Sequence, residues 1–226
     1  MRRGIGMAVA ATLLIAAAPH SGGWSVVTVR ELPTHLVAGT PTTITFAIRG
    51  HGEALSRGAS PTVSIKRARG GVLASRERPR VTETRRPGEY QFTFTPELAE
   101  PVIVTIDPDH QLPDIELLPI SVVAAGQAVS PIAPEAYGQA LFVAKGCVTC
   151  HVKADDPAMA DRATVRVGPE LTGRRFEVDW LTTKITDPSI NRVRVSQYNI
   201  MPTLELNPQE VAALVAYVNQ RVVANR

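Results

Sequence analysis

Residues 147 to 151 read Cys-Val-Thr-Cys-His, and Cys147 and Cys150 are the only cysteines in a chain of 226 residues. Two thiols three positions apart can add to the two vinyl groups of one haem. The next residue offers an imidazole to the iron from the same short turn, so the pentapeptide reads as a c-type haem attachment site. Cys147 and Cys150 would carry the thioethers, and His151 would be the proximal axial ligand. A thioredoxin-like dithiol expects a cytosolic βαβ setting, which the flanking sequence lacks. A structural zinc site needs four ligands, and no Cys or His follows position 151. A disulfide spanning two residues would be a strained staple and would leave His151 unexplained.

A second axial ligand must come from elsewhere. Beyond the N-terminal region the chain has two methionines, Met159 and Met201. Met159 is eight residues past His151, a reach of about 26–29 Å at full extension, most of which would be used in rounding the macrocycle edge. Met201 lies 50 residues past His151 and can approach the opposite face without strain. Pro202 follows it and stiffens the backbone there. Met201 is therefore the expected partner of His151 on the iron. A single haem c closed by His151 and Met201 has no open position for a small-molecule substrate. The expected role is one-electron transfer rather than enzymatic catalysis, with redox proteins docking over less than about 1,200 Å². The rival readings are a haem enzyme or gas sensor with a displaceable Met, and a non-catalytic assembly subunit of a larger redox complex.

The chain opens with Arg2 and Arg3, an apolar run from Ile5 to Ala18, and Pro19-His20-Ser21-Gly22-Gly23. A basic start, a short apolar stretch and small residues describe a secretory signal. About 14 apolar residues fall short of the roughly 20 that span a bilayer, which favours cleavage, although an uncleaved anchor stays open as the second reading of residues 1–23. Either way the chain is expected in the periplasm or on the outer face of the cytoplasmic membrane, where covalent haem attachment is made. The formal net charge is +3. Arginines gather between Arg57 and Arg86, and two readings apply: a basic patch for an acidic partner or a membrane surface, or scattered, solvated side chains. The second is preferred, and nucleic acid is not an expected partner of an exported protein.

The elements that must position these residues fall into two groups. From 24 to 123 the chain reads as short strands: Trp24 to Arg30, Thr43 to Ile48, Thr62 to Arg67, Val72 to Ser75, Val81 to Arg85, Tyr90 to Phe94, Val102 to Ile106 and Ile115 to Val123. Alternation of apolar and polar residues marks half-buried strands, and turn signals such as Gly70-Gly71 separate them. Seven or eight strands in about 100 residues predict an all-β immunoglobulin-like sandwich. His35, His51 and His110 lie in turn-like segments, and the region has neither Cys nor Met, so a blue-copper site is not expected. Residues 124 to 134 are small, neutral and punctuated by proline, as in a linker. Helical patterns follow at Glu135 to Lys145, at Phe176 or Glu177 to Ile185, and after Asn207. There Pro208 and Glu210 complete a helix start with a capping box.

Two resemblances add to this reading. Arg85-Arg86-Pro87-Gly88-Glu89-Tyr90-Gln91-Phe92-Thr93-Phe94, followed by Pro101 to Ile106, resembles small exported sandwich domains of the YtkA-like kind. The second resemblance covers residues 131 to 226. Tyr137-Gly138, Leu141-Phe142, the Cys147 to His151 motif, Gly168-Pro169 with Leu171 and Gly173, Trp180-Leu181, Asp187-Pro188, Met201-Pro202 and a last helix with Leu214 and Tyr217 occur in the order of a class I cytochrome c domain. It implies an all-α fold around one haem, with Gly138 and Phe142 crossing the last helix near Leu214 and Tyr217. It also implies that the Pro169 carbonyl accepts the ring N–H of His151, and that Trp180, Arg174 or Arg175 sits near a haem propionate. The segment from Val152 to Val167, polar and longer than in compact members, has no path assigned by this resemblance.

Overall fold

The computed structural model describes residues 23–69, 72–108, 113–190 and 201–220. Residues 1–22, His110 and the Gly70-Gly71 turn lie outside them. Among the described residues no helix is long and apolar enough to cross a membrane.

The N-terminal region is built of strands β1 (Ser25–Val29), β2 (Leu36–Val37), β3 (Thr42–Gly50), β4 (Ala54–Leu55), β5 (Thr62–Arg69), β6 (Val72–Glu77), β7 (Thr82–Glu83), β8 (Glu89–Phe94), β9 (Val102–Asp107), β10 (Ile115–Glu116) and β11 (Val122–Val123). One antiparallel sheet runs β1-β3-β8-β7, with β4 also on β3, and a second runs β10-β9-β5-β6. With the two-residue β2 and β4 left unlettered and β6 taken as C′, the pairing is A-B-E-D in one sheet and G-F-C-C′ in the other, an order compatible with the expected immunoglobulin-like sandwich. The period-two expectation explains the core. Ile44, Phe46 and Ile48 of β3, Tyr90, Phe92 and Phe94 of β8, and Val102, Val104 and Ile106 of β9 are all buried in one apolar cluster. Two expectations need correction. The strand read from Ile115 to Val123 is broken, because Leu118-Pro119 interrupts it, and Pro119 has no N–H to give to a ladder. Its first part pairs with β9 and its last part crosses to β2 in a parallel pair. The strand read from Val81 to Arg85 shrinks to two residues against β8.

The helical region contains α1 (Pro134–Ala144), α2 (Cys147–Cys150), α3 (Val178–Thr186) and α4 (Pro208–Asn219). The start of α4 is held by a reciprocal capping box: Glu210 N donates to Asn207 Oδ1 at 2.9 Å, and Asn207 N donates to Glu210 Oε2 at 3.1 Å. Helix α1 begins at Pro134, the last residue of the expected linker, and residues 124–133 carry neither helix nor strand.

All five residues of β1 are buried. Side chains alternate across a strand, so a one-sided sheet would leave every second residue in water. Val27 and Val29 join the sandwich core, while Val26 and Thr28 point to the other face. That face is covered by the helical region: α1 lies against β1 and β10. The apolar cluster is accordingly continuous, running from the strands into Tyr137, Leu141 and Phe142 of α1 and Leu214 and Tyr217 of α4.

Candidate functional site

Helices α1 and α4 form the frame of the site. A Cβ at Gly138 would overlap the Ala213 carbonyl oxygen and stand 2.6 Å from Tyr217 Cβ, so only glycine permits this crossing. One turn along, the rings of Phe142 and Tyr217 lie 5.4 Å apart at 60°. Lys145 ends α1, and Gly146 turns the chain into α2 with φ 75° and ψ 10°, a left-handed conformation that costs glycine little. Glycine is needed here for a second reason. A Cβ would run into Val26 Cγ1 and come within 2.6 Å of the Val27 oxygen. The residue before Cys147 thus rests directly on β1 of the sandwich.

The single turn of α2 places Cys147 and Cys150 three positions apart, on one side of the helix. The two are not joined by a disulfide. Although each keeps some exposed surface, burial pushes the Cys147 thiol up to about 12 and the Cys150 thiol up to about 11. This is the opposite of the lowering that activates an exchange dithiol. His151 leaves the helix in extended conformation, with its Nδ1 2.8 Å from the Pro169 carbonyl oxygen. A carbonyl only accepts, so Nδ1 carries the proton and Nε2 keeps a lone pair. Burial lowers the His151 pKa, with the Pro169 carbonyl acting the other way. The ring is therefore neutral and able to ligate at neutral pH.

The Gly168-Pro169 segment is fixed along the motif by backbone bonds from Gly168 N to Cys150 O (3.0 Å) and from Leu171 N to Val152 O (2.8 Å). Gly168 lies flat against the imidazole: a Cβ there would stand 2.6 to 2.9 Å from three of the ring atoms. Nothing in the sequence marks this contact except the place of Gly168 directly before Pro169.

The segment after the motif is more buried than its polar sequence suggested. Lys153 is fully enclosed, its Nζ 3.1 Å from Asp155 Oδ2 and 5.4 Å from the centre of the Tyr217 ring. Asp156 Oδ2 accepts from Tyr217 Oη and from Gln139 Nε2, both at 2.7 Å. Met159 is buried in the core cluster. Residues 152–163 therefore pack over α1 and α4 through satisfied polar contacts.

The remaining expected site residues are less enclosed. Met201 is half-buried, in a stretch from 201 to 207 that has no helix or strand of its own. Trp180 of α3 is 47% exposed and stacks on Phe176 at 5.3 Å and 17°. Arg174 and Arg175 are exposed. A hollow of about 240 Å³ beside Trp180 is lined by Asp179, Thr183, Lys184 and Ile190 and by none of residues 147–151.

The donor set fits a covalently held haem. Two neutral thiols share one side of a helical turn, the adjacent imidazole has its Nε2 lone pair available, and α3 presents exposed apolar groups at Val178 and Trp180.

Comparison with known proteins bears on the helical region. Residues 135–221 match the cytochrome c family model. No curated protein matches the chain. Among solved structures, the ZirS C-terminal domain is 12% identical over 54% of this chain and 87% of its own, with a TM-score of 0.35. A conjugative transposon lipoprotein from Bacteroides eggerthii DSM 20697 is 18% identical over 42% of this chain and 95% of its own, with a TM-score of 0.26. The match over 135–221 covers the helical frame, the Cys147 to His151 motif and the Met201 segment together, and the C-terminal region is a class I cytochrome c domain, a haem-binding electron-transfer module behind an N-terminal region rich in β-strands.

Proposed function

We propose that the protein is an exported carrier of single electrons with one haem c, attached through Cys147 and Cys150 and ligated by His151 Nε2 and Met201 Sγ. The observation that carries this reading is the His151 ring held by Pro169 and Gly168 beside two unbridged thiols. When bound, the haem supplies a one-electron couple. The protein's own residues attach it, orient its ligands and limit access to the iron. The Pro169 carbonyl makes His151 a better donor by holding its proton at Nδ1. The Met201 thioether, as the second ligand, would raise the reduction potential. Trp180 of α3, or Arg174 or Arg175 before it, is assigned to a haem propionate, where its donor would satisfy that carboxylate. The burial of Met159 in the core supports Met201 as the ligand.

The partners of such a carrier are redox proteins, donor and acceptor, docking near the exposed haem edge. The N-terminal apolar run supports export to the periplasm or the outer membrane face, with membrane association if that run is kept. The sandwich would serve as spacer or docking module.

The absorption spectrum and redox titration of the purified holoprotein test the assignment. Met201→Ala is expected to open the iron to cyanide and lower the potential, while Met159→Ala keeps wild-type ligation. Ready binding of carbon monoxide or cyanide to the native wild type would instead favour a sensor or enzyme with an open site.

A further inference from the structure

One residue of the sandwich reaches both sides of the proposed haem site. Arg30 follows β1 directly. Its main-chain carbonyl accepts a hydrogen bond from Lys145 Nζ at 2.5 Å, and Lys145 stands two positions before Cys147. Its guanidinium pairs with Glu205, Nη1 to Oε2 at 2.6 Å, and Glu205 stands four positions after Met201. The second oxygen of Glu205 is taken by Arg86, Nη2 to Oε1 at 2.8 Å. Both guanidiniums are in turn fixed by Glu89 of β8, at 2.9 Å from Arg30 and 3.3 Å from Arg86. Glu89 is itself mostly buried, so the clamp is anchored on the sheet, while Arg86 and Glu205 are exposed.

We propose that the sandwich is a positioning element of the haem site, with Arg30 and Arg86 clamping Glu205 and so restraining the Met201 segment. This rests on Met201 being the distal ligand. The stretch from 201 to 207 has no strand or helix of its own before α4 begins, and the Glu205 ion pairs tie it to the sheet. With haem bound, an outside ligand would reach the iron only once Met201 had left it, which would require this stretch to move. Arg30 and Arg86 are positioning residues: they touch Glu205 rather than the cofactor. Because the Glu205 end is exposed, the clamp is weak and screened by salt, which makes it adjustable.

The test uses the full-length ferric holoprotein and the rate at which imidazole displaces Met201, followed by loss of the methionine–iron absorption band. Glu205→Gln is expected to speed displacement roughly two- to tenfold at low salt, as for loss of one or two exposed ion pairs. Its band and its urea midpoint should stay close to wild type. Arg86→Gln should shift the rate in the same direction by less. Raising the salt should bring the wild type toward the variant and leave the variant unmoved. Glu97→Gln, which removes an ion pair to Arg67 inside the sandwich, should behave as wild type. A Glu205→Gln rate equal to wild type at low salt overturns the clamp. Met201→Ala run in parallel separates the two claims. If it keeps the wild-type band, the ligand assignment fails and takes the clamp with it. If it loses the band while Glu205→Gln changes nothing, the clamp alone fails.

Discussion

Lys145 and Glu205 both join the cytochrome c domain to Arg30 of the sandwich, and they do so under opposite conditions. Lys145 is enclosed: its side chain is 2% exposed and that of its partner Glu210 is 3% exposed, with Nζ and Oε1 at 2.7 Å. Glu205 is 62% exposed. In a dry setting an ion pair is costly to form, but removing one member strands the other charge. In water the same contact is worth about 0–1 kcal/mol. The Lys145 joint is thus part of the core, reinforced by Gly146 on β1, and it fixes the attachment motif to the sandwich. The Glu205 joint is a surface tether. The difference teaches that the two sides of the proposed haem are held to one scaffold with unequal firmness.

The most severe way to break this contrast is at Lys145. Lys145→Met leaves Glu210 buried without its cation, and the expected loss is about 3–5 kcal/mol, read as a fall in the urea midpoint. Because α1, β1 and α4 share one apolar cluster, strands and helices should unfold together. Adding Glu210→Gln should restore part of the loss, since Gln still completes the capping box with Asn207. A loss under about 1 kcal/mol would show that this joint is as wet as the other. Next in size is Gly138→Ala. Its new methyl meets the Ala213 carbonyl and Tyr217 Cβ, of which the first is backbone and cannot swing aside. Forced repacking of this kind costs about 1–3 kcal/mol, measurable in the same titration.

Much of the cytochrome c domain could be read before the structure. The Cys147 to His151 motif and the Asn207–Glu210 capping box are local patterns, whereas the Gly138 crossing was implied by the resemblance to class I cytochromes c and is found there. The joints could not be read, because their partners are distant in sequence. Arg30 and Lys145 are 115 positions apart, and a lysine at a helix end reads as solvated until its burial is seen. Lys153 misled in the same way: its carboxylate neighbours suggested a polar loop, yet it lies under Tyr217. One further signal lies in the sequence of β1. Ser25 to Val29 reads Ser-Val-Val-Thr-Val without the alternation of β3 or β8, and a strand lacking alternation is one covered on both faces. The break at Leu118-Pro119 was also visible as a proline inside a supposed strand.

Gly168→Ala sharpens the comparison on the proximal side. The added methyl would press on the imidazole at under 3 Å, so the ring must tilt away from the Pro169 carbonyl. Haem should remain covalently bound through Cys147 and Cys150 while the absorption spectrum and the potential shift. Unchanged values would mean that the ring is not held by this contact.

The smallest effect expected is the acid response of the tether. Glu205 is held below the usual glutamate value of 4.5, first by its hydrogen bond from Arg86 and then by that from Arg30. A carboxyl whose folded pKa is lowered contributes its stabilisation above the unfolded value and loses it as pH falls through the folded one. The tether is therefore complete at neutral pH and is lost only on the acid side of the ordinary glutamate value of 4.5. The charges facing it are Arg30, Arg86 and Glu89, with Arg49 nearby lowered by burial and then by both arginines. Exposure limits the contribution to less than about 1 kcal/mol, too little to move the urea midpoint clearly. It is enough to move a rate. Imidazole displacement should accelerate in the wild type as pH drops through this range, after correction for protonation of imidazole itself, and converge on the Glu205→Gln rate. If the two curves stay parallel down to pH 3, the distal segment is held by something other than this carboxylate.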